Sequence, residues 1–138
     1  MKIKVAIVIN KNIENVWEYW NSPESIRGWA FASNDWECLH AENDLRVGGR
    51  FLTRMSAKDK SVSFDFTGTY LEMEEYKYIK YICDGGDKRV VQITFEKISD
   101  TETKITEDFD PENENSAERQ RDGWQAILNN FKKYVESN

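Results

Sequence analysis

SAERQRDGWQAILNNFKKYV, residues 116–135, reads as one long helix. Its second half carries an apolar stripe of Trp124, Ile127, Leu128, Phe131 and Val135 at the spacing of one helix face. Its first half does not. Ala117 and Gln120 occupy the same stripe and Gly123 lies on its flank, inside the helix, where a glycine costs about 1 kcal/mol relative to alanine. Protein interiors pack densely, so a helix that covers its core over half its length calls for an explanation. Two readings are open: a pocket lies under the first half, opening near two short helices that follow the first strand, or a strand or tryptophan approaches Gly123 closely and fills the gap.

The partner of this helix is a sheet. MKIKVAIVIN alternates as a strand, with Ile3, Val5, Ile7 and Ile9 on one side and Lys2, Lys4, Ala6 and Val8 on the other. Two short helices follow. NIENVWEYW spaces Ile13, Val16, Trp17 and Trp20 helically, with Asn10 or Asn12 as N-cap. SPESIRGWA restarts a helix with Ser22 as N-cap, Pro23 at the first helical position, Glu24 in the first turn and Gly28 helping to end it. Strands are then predicted over residues 35–40, 49–56, 61–73, 76–83, 89–98 and 103–110. ENDLRVGG, AKDK, CDGGDK and ISDTET supply connections between them. In the long strand Phe64 and Phe66 are even-numbered and Leu71 and Met73 odd, so a bulge or bend is expected at Gly68. The fold class is α+β: a curved antiparallel sheet of six to seven strands gripping a long C-terminal helix, with two short helices after the first strand, as a single domain over residues 1–138.

Composition narrows the function. The net charge is −6, against the basic face that phosphate neutralisation needs, so no nucleic-acid partner is expected. No segment approaches the roughly 20 apolar residues of a membrane span, so no membrane insertion is expected. The two cysteines, Cys38 and Cys83, are isolated, and with no signal-peptide pattern they read as reduced thiols of a cytoplasmic protein. With one histidine, His40, and no paired-cysteine motif, no metal site and no cofactor are expected.

Five stretches, VWEYWNSPESIRGW (16–29), DLRVGGRF (44–51), FDFTGTY (64–70), TEDFDPE (106–112) and QRDGWQAILNNFKKYVE (120–136), span nearly the whole chain. In that order they resemble the family of stand-alone domains similar to the C-terminal domain of the activator of the heat-shock-protein-90 ATPase, within the START-like (SRPBCC, helix-grip) superfamily. The resemblance implies a curved sheet around a C-terminal helix, usually with a cavity between them. Members of the wider superfamily bind lipids, hormones or polyketides, and some are cyclases or hydrolases. The eukaryotic co-chaperone has a separate N-terminal domain for which this chain has no room, so chaperone contact is a possibility the family name raises and the residues do not support.

The candidate ligand-binding residues are Trp29, Phe31, Trp36, Phe51, Phe66, Glu107, Gln120, Gly123 and Trp124. In TKITEDFD, Glu107 shares a strand face with Ile105 and Phe109, so it points inward if they do. Such a carboxylate either meets a ligand or acts as a general base, or is satisfied by Arg121, Gln120 or an indole nitrogen. Asp65 belongs to the opposite face, paired with Arg50 or Arg54. Trp29, Phe31 and Trp36 line the loop AFASND, read as a lid or entrance, while Trp17 and Trp20 read mostly as core. No residue is assigned a catalytic role, because an enzyme needs titratable groups converging on one point and Glu107 stands alone. The expected function is binding of a small hydrophobic or amphipathic molecule. The alternatives are a cyclase- or hydrolase-type enzyme using Glu107 and a protein-interaction domain for a chaperone or another partner.

Overall fold

The computed structural model describes residues 2–85 and 88–138. Strand β1 (Ile3–Ile9) is followed by helices α1 (Ile13–Asn21) and α2 (Pro23–Trp29). Six strands come next: β2 (Trp36–Asn43), β3 (Arg50–Ala57), β4 (Ser63–Glu74), β5 (Tyr78–Cys83), β6 (Val90–Ser99) and β7 (Glu102–Phe109). Helix α3 (Ala117–Glu136) closes the chain's order of elements. The strands form one antiparallel sheet in the order β1-β7-β6-β5-β4-β3-β2, so α1 and α2 carry the chain from one edge of the sheet to the other. The expected CDGGDK connection includes Gly86 and Asp87, which lie outside the described residues.

Local chemistry sets the helix starts. Asn12 caps α1 by accepting from the Asn15 amide at 2.8 Å, and Ser116 caps α3 by accepting from the Arg119 amide at 3.1 Å. Pro23 opens α2, where a missing N–H costs nothing. Gly28 does not end α2. It lies one residue inside, where it leaves room for the ring of Tyr134 from α3.

Helix α3 lies against β1, an edge strand, and uses side chains to bond its backbone. Gln125 donates to the Ala6 carbonyl at 3.1 Å and Lys132 to the Val8 carbonyl at 2.8 Å. The Glu136 carboxylate accepts from the Asn10 amide at 2.8 Å. An edge strand's free carbonyls are thereby occupied by the helix the sheet encloses. The core lies between them, with Leu128, Phe131 and Val135 fully buried against Ile3, Ile9 and Ile105. No helix is long and apolar enough to cross a membrane.

The long strand changes face, but not at Gly68. The β3–β4 register runs unbroken through Phe51 opposite Gly68. The irregularity falls between Tyr70 and Glu72 in the pairing with β5, which turns Leu71 out to solvent and brings Met73 against the core. Gly68 is small for another reason: a Cβ there would stand 2.5 Å from Cε2 of Phe51 and 3.0 Å from the Ile82 carbonyl oxygen. The next strand also starts later than its aromatic content implies, because Tyr76 adopts φ 64° in the turn and β5 begins at Tyr78. Asp65 faces outward and is held by Arg54 at 2.8 Å, while Arg50 pairs with Asp84.

Gly68→Ala is expected to destabilise the protein by about 1–3 kcal/mol, the usual cost of overpacking. Urea unfolding at unchanged m-value measures it, and a loss near zero would show that Phe51 moves aside freely.

Candidate functional site

Between the sheet and the first half of α3 lies a cavity of about 560 Å³. Its floor follows from strand register. Glu107, Ile93 and Ile79 line it side by side across β7, β6 and β5, with Val5 of β1 next to Glu107 in the register. One wall is aromatic: Phe51 has Phe66, Tyr70 and Tyr81 around it, with ring centroids at 5.7, 5.5 and 4.8 Å. The roof is Trp124, which stacks on Phe109 at 4.0 Å and 16° and meets Phe66 edge-on at 6.4 Å. The far end is closed by Trp29 and Trp20, 4.7 Å apart, each edge-on to Phe131.

Trp29, Phe51, Phe66, Glu107, Gln120, Gly123 and Trp124 all line this space, whereas Phe31 and Trp36 do not. Phe31 follows α2 in a tight turn, its amide bonded to the Trp29 carbonyl, and packs on the core elsewhere. Trp36 opens β2, the other edge strand, and lays its ring against Phe64 at 5.9 Å. Of the loop AFASND, Ala30 lines the cavity and the residues after it do not. Trp29 is the last residue of α2 and is buried, with its indole N–H donating to the Tyr19 carbonyl at 3.0 Å. The exposed side chains that line the cavity are Phe64, Asn115 and Arg119, so it meets solvent at the start of α3 and beside β4.

Both unusual residues of α3 have a place here. A Cβ on Gly123 would meet nothing within 4 Å, so this glycine is not a point of close approach. Gln120 is buried, and its amide is used by the connection that precedes α3. Its oxygen accepts from the Glu112 amide at 2.9 Å, and its nitrogen donates to the carbonyls of Glu112 at 3.3 Å and Asn115 at 2.8 Å.

Glu107 points into the cavity and is 5 % exposed. None of the partners its sequence context offers reaches it. Arg121 is exposed, the Gln120 amide is turned to the connection, and no described group donates a hydrogen bond to its carboxyl. No fully enclosed side-chain polar atom lacks a partner among the described residues, so its oxygens front open space rather than packed atoms. Burial pushes its pKa from 4.5 up to about 8, which leaves it a neutral acid at neutral pH.

Among the lining residues that the sequence reading did not select, Tyr81, Tyr70 and Trp20 carry the most chemistry. Tyr81 is buried, and desolvation first, then the Glu107 charge, raises its phenol pKa well above the ordinary value. Its inward direction is legible in the alternation Ile79, Tyr81, Cys83 of β5. Tyr70 donates to the side-chain oxygen of Asn43, whose nitrogen donates to the Asn21 carbonyl at 2.8 Å, joining the wall to α1. Trp20 serves core and cavity together. His40 lies outside, exposed, with Glu42 at 2.7 Å. Among the described residues no group of three or more His, Cys, Asp or Glu is placed to hold a metal.

Glu107 gives stability a definite pH dependence. Its folded pKa of about 8 exceeds the unfolded value near 4.5, so the folded state keeps a proton that the unfolded state releases. Its contribution is full below about pH 4.5 and is lost as pH rises to about 8, by up to about 1.4 kcal/mol per unit. Glu107→Gln is expected to remove this fall, so the variant's advantage in urea midpoint widens from about pH 5 to 8. Parallel profiles for the two proteins would show that the carboxyl titrates as a surface acid.

No curated protein matches the sequence. Among solved structures, the solution NMR structure of an AHSA1-like protein from Aeromonas hydrophila is 42 % identical, with a TM-score of 0.91 over 99 % of this chain and 93 % of that one. A protein from Cytophaga hutchinsonii is 48 % identical, with a TM-score of 0.83 over 99 % of this chain and 93 % of that one. A crystal structure from Chromobacterium violaceum reaches 0.87 at 22 % identity, covering 100 % and 99 %, a likeness of fold. The model of the family described as Activator of Hsp90 ATPase homolog 1-like protein matches residues 10–136. With the architecture and the AHSA1-like structure from Aeromonas hydrophila in agreement, this chain belongs to that family.

Proposed function

We propose that the chain is a cytoplasmic binding module for a small hydrophobic or amphipathic molecule, held between the sheet and the first half of α3. The observation that carries this reading is the open space at Gly123: a helix gives up propensity there without gaining a packing contact. Volume and lining agree with it. About 560 Å³ falls within the range of small-molecule sites, and aromatic walls with few polar groups suit a flat apolar ligand. The two cysteines are buried and not joined in a disulfide, in keeping with a reducing compartment.

A second reading is a cyclase- or hydrolase-type enzyme. One observation favours it: a carboxyl with a pKa of about 8 exchanges its proton near neutral pH, as a general acid or base must. Contact with the chaperone ATPase in the family's description would use another surface and leave the cavity unexplained. The binding reading accounts for more of the structure.

The neutral dye N-phenyl-1-naphthylamine tests it by fluorescence titration. Wild type is expected to bind and enhance its emission. Gly123→Ala should hold or raise stability, by up to about 1 kcal/mol, because its methyl meets open space. Gly123→Leu should keep the urea midpoint yet weaken the dye by about tenfold or more, since each decade is about 1.4 kcal/mol. Unaltered dye affinity in a folded Gly123→Leu protein would place the dye elsewhere and defeat the proposal.

A further inference from the structure

We infer that the molecule held in the cavity carries an uncharged oxygen acceptor, a carbonyl or its equivalent, which takes a hydrogen bond from the Glu107 carboxylic acid. This rests on the ligand-site reading above and narrows it to a chemical class. The geometry begins with isolation. Glu107 is 5 % exposed, flanked on the floor by Val5 and Ile93, and no described group hydrogen-bonds it. Buried polar groups are nearly always partnered, so a side chain of this kind aimed into a cavity marks where a ligand supplies the partner.

The partner's chemistry follows from the surroundings. β1 presents only the apolar Val5 at this position, and β6 presents Ile93. The charged and titratable side chains lining the same cavity are Tyr70, Tyr81, Arg89, Glu112 and Arg119. Cys83 lies beyond Tyr81 on β5. Desolvation by burial holds the Glu107 carboxyl protonated. The group is therefore a neutral acid, with one O–H to donate. Tyr81 is close enough for the Glu107 charge to act on it, and its own hydroxyl makes no hydrogen bond to a described group. Two donors beside aromatic walls present complementarity to an oxygen acceptor.

An organic cation is the competing class, because aromatic faces and a carboxylate also recognise ammonium groups. The two differ in the sign of their pH dependence. An oxygen acceptor needs the proton on Glu107, so its affinity falls as pH rises through about 8. A cation needs the proton gone, so its affinity rises over the same range.

Three probes separate these cases: the neutral ketone 6-propionyl-2-(dimethylamino)naphthalene, its carbonyl-free parent 2-(dimethylamino)naphthalene, and (2-naphthylmethyl)trimethylammonium. Each is titrated against wild type, Glu107→Gln and Glu107→Leu, below and above about pH 8. Wild type is expected to prefer the ketone over its parent by about threefold to tenfold at the lower pH, the contribution of one hydrogen bond, and to lose that preference at the higher pH. Glu107→Gln keeps an N–H donor, so it should retain the preference without the pH dependence. Glu107→Leu should weaken it to what the Tyr81 hydroxyl alone supplies, while still binding the parent. Equal binding of ketone and parent by wild type would overturn this inference and leave the ligand site standing. So would an ammonium affinity that exceeds the ketone's and rises through about pH 8. Failure of all three probes to bind would overturn the ligand site, and the inference with it.

Discussion

Phe131 is the contact on which the rest of the molecule depends. It is fully buried, with Trp20 from α1 and Trp29 from α2 edge-on to it at 4.9 and 4.8 Å. That one ring ties both short helices to the long one. Asn130, its neighbour, donates to the Trp29 carbonyl at 2.9 Å, so the end of α2 is fastened at the same point. On its other side α3 bonds β1 through Gln125 and Lys132. The C-terminal half of α3 is thus held from two directions, and the curvature of the sheet has to accommodate it.

The N-terminal half of α3 is held differently. Trp124 lies flat on Phe109, and Gln120 ties the connection between β7 and α3 through three hydrogen bonds. Both act near the sheet edge and the connection, and neither fills the space over β4, β5 and β6. The polar residue in the middle of an apolar stripe therefore has a structural task, and the glycine on its flank has none in packing. A dense half fixes the helix so that the other half can stand off the sheet.

How far this was legible in the sequence depends on the range of the interaction. Strand alternation and helical spacing are local, and they place the elements and turn Glu107 inward beside Ile105 and Phe109. Glycine has no such local signature. Gly28 makes room for Tyr134, Gly68 for Phe51, and Gly123 for nothing, yet all three are interior to regular elements. Only the tertiary neighbour distinguishes them. The same limit applies to Phe31 and Trp36, whose proximity to Trp29 in the chain does not bring them to the cavity, because the edge strand β2 carries Trp36 toward Phe64. The isolation of Glu107 was equally out of reach, since it depends on where the Gln120 amide spends its hydrogen bonds.

That isolation bears on why position 107 is an acid at all. At pH 7 the folded chain keeps a proton that the free group, with a pKa of 4.5, has already released, a penalty on the order of 3 kcal/mol. Total stabilities of domains are about 5–15 kcal/mol, so this is a large fraction to leave in one side chain. Glutamine has nearly the same shape and carries no such penalty, and leucine would pack the floor beside Val5 and Ile93 with no polar atom to bury. Neither folding nor packing selects glutamate here. What the acid has and the amide lacks is a proton that can be given or withdrawn near neutral pH, and under the ligand-site proposal that proton is offered to whatever enters the cavity.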